Sequence, residues 1–109
     1  MSRVDQLNSL LLREIALFVR RDVYLPDGLI TITYVDCSAD LNQAKIGFSV
    51  LPETLTGTAL ALLRKNSNNF HGQLKRKLTL KFIPRLIWVV DDRPQRAGEI
   101  DTTLKELGF

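Results

Sequence analysis

The chemistry that this sequence offers most clearly is the binding of phosphate groups. Residues 64–85 include seven Lys or Arg residues and no acid. No Asp or Glu occurs between Glu53 and Asp91, so the net charge of +3 is concentrated in this stretch. Clustered cations attract a phosphate-rich partner, because each neutralised phosphate releases condensed counterions. The seven cations are Arg64, Lys65, Lys75, Arg76, Lys77, Lys81 and Arg85. The same cluster of cations is equally compatible with a helix face that is merely exposed to solvent.

Residues that could support catalysis or metal binding are sparse. His71 is the only histidine and Cys37 the only cysteine, so neither a two-histidine metal site nor an internal disulfide can form. We interpret Cys37 as a plain loop cysteine and expect His71 to join the basic helix face or to contact RNA. Asp91 and Asp92 form an acidic pair, which we interpret as solvated loop residues rather than as Mg²⁺ ligands. A glycine-rich phosphate loop is missing from the sequence. We therefore expect no enzymatic activity, cofactor, metal ion or small-molecule substrate.

Length and composition place these cations in one small domain. The chain has 109 residues, of which 45% are apolar and 25% charged, as in an ordinary globular protein. The N-terminal residues do not have the pattern of a signal peptide, and no apolar run reaches the roughly 18 residues of a membrane span. A single cysteine suits a reducing compartment. We expect a cytoplasmic monomer without a membrane partner.

The first half of the chain predicts a helix and a hairpin. Apolar residues recur at three- and four-residue steps from Ser2 to about Arg21, and Ser2 with Asp5 fits a capping box. The alternating segments 29–35 and 43–51 predict two strands, joined by a polar loop over residues 36–42. Strands this close in sequence are expected to pair antiparallel.

The second half predicts two helices and a third strand. A helix runs from Pro52 to about Lys65, the Asn-rich segment 66–69 breaks it, and a second helix resumes at Phe70. The apolar run 86–90 predicts a buried strand that begins as early as Lys81, with Trp88 in the core. Residues 91–98 have the composition of a linker, and Ile100, Leu104 and Leu107 predict a short helix over residues 99–107.

This order of elements predicts a single α+β domain in which helices pack on one face of a three-stranded sheet. Two helices with a tight basic bend beside a small sheet are typical of a KH domain, where the bend clamps a nucleic-acid backbone. A DNA-binding helix-turn-helix is similar locally. A basic module that binds an acidic protein is a further alternative. The hairpin and the third strand favour the KH interpretation.

The sequence resembles the bacterial ribosome-binding factor A family over nearly the whole chain. The resemblance rests on the opening RVDQLNSLLLREIA, on LITITYVDCSADLNQAKIGFSVL, on LKRKLTLKFIPRLIWVVDD and on GEIDTTLKEL. Its most specific pieces are Thr31-x-Thr33 with Val35, Ser38-x-Asp40-Leu41-x-x-Ala44, and Pro84-x-Leu86 followed by Asp91.

The resemblance implies a type II KH-like fold and a non-enzymatic role in ribosome biogenesis. It implies binding to the small (30S) ribosomal subunit and its 16S ribosomal RNA, with assistance in late maturation, RNA processing and growth in the cold. We assign residues 1–92 to the KH-like domain and residues 93–109 to a tail.

The chain departs from the family at the bend between the helices. The family has Ala-x-Gly there, and the matching positions are Asn66-Ser67-Asn68. Asn68 is expected to take the positive φ that a glycine would supply. The predicted RNA-binding residues are Arg64, Lys65, Asn66, Ser67, Asn68, Lys75, Arg76, Lys77, Lys81 and Arg85.

Overall fold

The computed structural model describes residues 2–80 and 82–93, and the tail from residue 94 onward lies outside it together with the predicted helix over residues 99–107. The elements follow the predicted α+β order with three strands, and the fold class is confirmed. They are α1 (Arg3–Asp22), β1 (Leu29–Cys37), β2 (Gln43–Leu51), a single 3₁₀ turn (Glu53–Leu55), α2 (Thr56–Lys77) and β3 (Arg85–Val90).

Helix α1 begins and ends where the sequence indicates. The Ser2 side chain accepts a hydrogen bond from the Asp5 backbone amide, and the Asp5 carboxylate accepts one from the Ser2 amide. This reciprocal pair satisfies two amide donors that have no partner inside the helix. Leu11, Ile15 and Phe18 form the buried stripe that packs on the sheet.

The two predicted strands of the hairpin pair antiparallel. Leu29 lies opposite Leu51 at one end of the pair, and Cys37 lies opposite Ala44 at the other. The register shifts between Ile32 and Tyr34, which leaves Thr33 as an extra residue. β1 extends beyond the predicted segment to Cys37, so the interpretation of Cys37 as a loop residue is wrong. The Asn8 side chain accepts a hydrogen bond from the Cys37 amide and keeps the strand in place to that point.

β3 completes a sheet with the order β1-β2-β3 and pairs parallel to β2. It begins at Arg85, whose amide donates to the Asn42 carbonyl oxygen over 2.9 Å. The prediction that this strand begins as early as Lys81 is wrong for residues 82–84, which are not in the strand. Lys81 itself lies outside the described residues. Pro84 has no amide hydrogen for a sheet bond, so the strand starts just after it.

The predicted break at residues 66–69 is wrong, because α2 is one continuous helix from Thr56 to Lys77. Asn68 is helical and does not have a positive φ; among the described non-glycine residues only Asp27 and Leu41 do. Asparagine weakens a helix by less than about 1 kcal/mol. Leu63 and Phe70 are fully buried on the same side of α2, and this packing outweighs the local preference.

The core lies between both helices and one face of the sheet. Phe70 of α2 joins the layers: its ring stacks on Phe18 of α1 at 6.1 Å and meets Trp88 of β3 edge-on at 6.0 Å. The opposite face of the sheet carries Tyr34, whose ring lies against Gly47 so closely that an added Cβ there would come within 2.3 Å of it. A residue larger than glycine at position 47 would therefore have to displace the Tyr34 ring.

Candidate nucleic-acid interface

The solvent-facing side of α2 gathers several of the predicted site residues. Seven residues make almost two turns of an α-helix, so Arg64 and His71 lie nearly above one another, and Lys75 follows one turn later. Ser67 and Asn68 fill the turn between Arg64 and His71. The continuous helix therefore replaces the predicted bend with a straight polar stripe.

Four residues of this stripe, Arg64, Ser67, Asn68 and His71, form one wall of a groove with a volume of about 730 Å³. The other wall is the segment that leads from α2 into β3, and the start of β3 itself. Among the residues that the structure describes, none that lines the groove is an acid. They are Asn42, Arg64, Ser67, Asn68, His71, Phe82, Ile83, Arg85, Leu86, Ile87 and Trp88.

Two hydrogen bonds hold the second wall in place. His71 Nε2 lies 3.2 Å from the Ile83 carbonyl oxygen. Because a carbonyl oxygen only accepts, this bond places the imidazole proton on Nε2. At the start of β3 the Arg85 amide is bound to the Asn42 carbonyl oxygen. His71 thus joins the basic face, as expected, and also fastens the facing segment to the helix.

Lys77 is turned away from the stripe and bound to the protein itself. Its Nζ lies 2.6 Å from the carboxylate of Glu14, a buried residue of α1 that is only 6% exposed. The same ammonium group lies 5.9 Å from the centre of the Phe18 ring. A buried carboxylate requires such a partner, so Lys77 first of all neutralises Glu14.

The other predicted residues occupy three different environments. Asn66 donates from its side chain to the Leu62 carbonyl oxygen over 2.8 Å, so its amide is used within the helix. Lys65 and Arg76 are exposed, and Arg76 lines a separate cavity with Phe18 and Gln73. Arg85 lines the groove from the opposite wall. The structure therefore brings Arg64, Ser67, Asn68 and Arg85 together and leaves Asn66 and Lys77 engaged elsewhere.

A polar cluster joins the C-terminal end of α1 to α2 on the far side of the helix. Arg21 binds Asp22 through two hydrogen bonds of 2.8 and 3.0 Å, and it also donates to the Gln73 side chain. Gln73 in turn donates to Asp22 over 2.9 Å. The Arg21 guanidinium, followed by Gln73, lowers the pKa of Asp22 to about 2, because both stabilise the carboxylate.

Asp91 corrects the interpretation of the acidic pair as solvated. Its side chain is buried and accepts two hydrogen bonds of 2.9 Å from Arg93. The Arg93 guanidinium holds the pKa of this carboxyl well below its usual range. Arg93 also covers the Tyr34 ring at 4.7 Å. Asp91 therefore anchors the end of β3. Residues 2–80 and 82–93 contain no cluster of His, Cys, Asp or Glu that could hold a metal ion.

Sequence reasoning missed several residues of the groove, among them Phe82 and Asn42. Phe82 is 57% exposed and lines it, and Asn42 reaches it from the hairpin loop. An aromatic residue inside a basic stretch was the available signal for Phe82. Asn42 gave none, because its position depends on the pairing of β2 with β3. Trp88 is core, as expected, and also lines the groove.

Neither α1 nor α2 combines the length and the apolar character that crossing a bilayer demands.

Comparisons with known proteins agree with the fold. The family model "Ribosome-binding factor A" matches residues 3–104. The ribosome-binding factor A of Akkermansia muciniphila is 28% identical, over 96% of this chain and 84% of that protein. The crystal structure of ribosome-binding factor A from Thermus thermophilus superposes with a TM-score of 0.70 at 22% identity, over 80% of this chain and 93% of that one.

A second Thermus thermophilus structure is a homology model of ribosome-binding factor A fitted into a cryo-electron microscopy map of its complex with the 30S subunit. It superposes with a TM-score of 0.66 at 21% identity, over 78% of this chain and 91% of that one. These two superpositions support the KH-like fold, and the family model covers nearly all of the sequence. From these matches we conclude that this chain belongs to the ribosome-binding factor A family.

Proposed function

We propose that this protein binds the small ribosomal subunit through 16S ribosomal RNA and assists late maturation of the subunit, including processing of that RNA. The observation that carries the proposal is a groove with Arg64 on one wall and Arg85 on the other, whose described lining residues include no acid. Facing cations without a competing carboxylate favour a phosphate backbone between them. The complex of the Thermus thermophilus relative with the 30S subunit supports the same partner for this chain.

The proposed RNA surface has a centre and an edge. Arg64, Ser67, Asn68 and Arg85 form the centre because they line the groove. Lys75 continues the stripe, and the exposed side chains of Lys65 and Arg76 extend the positive field beside it. Lys81 remains a proposed RNA-binding residue because of its position in the basic stretch of the sequence. We assign smaller roles to Asn66 and Lys77, whose polar groups are already bound within the protein.

The protein acts in this proposal as a monomer, by binding, and catalyses no reaction. The groove offers cations, amides and one hydroxyl group, and its imidazole, that of His71, is already bound to the Ile83 carbonyl oxygen rather than to a nucleophile. Residues 1–92 carry the binding domain, and residues 93–109 are a tail, of which Arg93 packs on the domain through Asp91 and Tyr34. RNA processing is then assisted because a bound subunit is held in a conformation that other factors can use.

The test is co-sedimentation of the protein with free small subunits and with complete ribosomes. We compare the parent with an Arg64→Gln, Arg85→Gln double variant, in which both changed residues are exposed and line the groove. The matched control is Arg13→Gln, Arg20→Gln, which removes the same charge from exposed positions of α1. The first variant should bind subunits more weakly. The slope of its log affinity against log salt concentration should become shallower by about 0.7 to 0.9 per lost phosphate contact.

The control should retain more of the affinity, because its charges lie on another element. Equal losses in both double variants would attribute binding to net charge rather than to this surface. Tighter binding to duplex DNA than to small subunits would favour the helix-turn-helix alternative. Binding of this protein to an acidic protein, without binding to RNA, would favour the alternative of a protein-interaction module.

A further inference from the structure

An aromatic ring lies exposed among the cations of the groove. Phe82 precedes β3 and keeps 57% of its surface in contact with solvent. A single exposed aromatic side chain is not unusual by itself. Phe82 is unusual in its surroundings, because Arg64, Arg85 and the apolar residue Leu86 line the same groove.

We propose that Phe82 stacks on one unpaired RNA base while Arg64 and Arg85 bind the phosphates next to it. Aromatic side chains bind nucleobases in this way because every base has a π-face, and neighbouring cations follow the backbone. The inference rests on the proposed function and deepens it, since it specifies single-stranded RNA as the part of the ribosomal RNA that the groove takes.

The exposed ring and the polar groups of the groove favour a single strand over a duplex. Bases inside a duplex are already stacked on their neighbours and are not available to a side chain. Asn42, Ser67 and Asn68 place amides and a hydroxyl group in the same groove, where they can meet the polar edge of an unpaired base.

The ring is also held in position before any RNA arrives. The residue that follows Phe82 is Ile83, which is buried, and its carbonyl oxygen lies 3.2 Å from His71 Nε2. Pro84 is fully buried next to it. An anchored segment loses little conformational entropy on binding, so stacking on its exposed ring contributes more to affinity.

The experiment uses the complete chain and a ten-nucleotide single-stranded RNA that carries one 5-iodouridine. This base forms a covalent bond on irradiation with an aromatic ring stacked on it, and mass spectrometry identifies the residue. We expect the bond at Phe82. Phe82→Leu should lose it and bind the RNA about tenfold more weakly, since it keeps the apolar character but not the ring. Phe82→Trp should restore the affinity and the bond.

The matched control is Tyr24→Leu, which removes an aromatic side chain that is 79% exposed and does not line the groove. It should crosslink and bind like the parent. Parent-like affinity of a folded Phe82→Leu variant, or a crosslink elsewhere, overturns the inference. The same conclusion follows if duplex RNA binds as tightly as the single strand, or if Phe82→Trp fails like Phe82→Leu. Any of these results leaves subunit co-sedimentation intact as the separate test of the proposed function.

Discussion

Lys75 and Lys77 are lysines of the same helical turn with different surroundings. Lys75 belongs to the stripe along the groove, whereas Lys77 lies against α1 with its Nζ 2.6 Å from the Glu14 carboxylate. The sequence alone cannot distinguish the two lysines, because Glu14 and Lys77 are far apart in the chain. The sequence predicted that the α2 region is basic but not which cation serves the fold. A similar limit applied to Asn42, which reaches the groove only through strand pairing.

We predict that Lys77→Gln lowers the thermal midpoint and that Lys75→Gln does not. Removing Lys77 leaves the buried Glu14 carboxylate without its cation, which costs about 1 to 3 kcal/mol. In a domain of this size each kcal/mol corresponds to about 4 to 8 °C. Lys75→Gln is a surface change and should stay within about 0.5 kcal/mol of the parent. Thermal melts of both variants check this, and equal midpoints would contradict the role given to Glu14.

At the scale of elements, the sequence predicted the hairpin and α1 nearly to the residue. Period-two alternation marks β2 between Gln43 and Leu51, and the Ser2 capping box marks the start of α1. The predicted break at the Asn-rich segment was wrong, because the low helix propensity of asparagine was considered without the buried contacts of Phe70. The parallel partner of β3 could not be predicted from the sequence either, since it depends on the path of α2 across the sheet.

The continuity of α2 predicts the order of stability among variants of Asn68. In a helix, alanine is favoured over glycine by about 1 kcal/mol, and asparagine lies between them. Asn68→Ala should therefore melt above the parent and Asn68→Gly below it. The matched control is the same pair of changes at Asn69, which is also exposed in the helix and should give the same order. If Asn68→Gly melts highest, the residue has a positive φ and the helix is broken there after all.

At the scale of the whole molecule, the two helices are joined by a cluster that depends on ionisation. Asp22 at the end of α1 is bound by Arg21 and by Gln73 of α2. Its pKa is lowered to about 2 in the folded protein. An unfolded aspartate has a pKa of about 3.9. The carboxylate therefore stabilises the fold fully above about pH 4, and this contribution is lost as the pH falls towards 2.

We predict that Asp22→Asn lowers the thermal midpoint at pH 6 and that the difference from the parent shrinks below pH 4. At pH 2 the parent has itself lost much of the charge that binds Arg21. Thermal melts of both proteins at intervals between pH 6 and pH 2 measure the effect. A difference that stays constant over this range would mean that Asp22 acts through its shape and hydrogen bonds alone.

The parallel pairing of β2 with β3 has a consequence for how the protein is made. The chain must pass through residues 52–84 and back along the sheet before β3 can pair. Closing this connection costs entropy before the contacts of β3 offset it. A ribosome synthesises α1, the hairpin and α2 first, so a growing chain has only one wall of the groove. Docking of β3 supplies the other wall, and a nascent chain therefore acquires its proposed RNA site only when its own fold is complete.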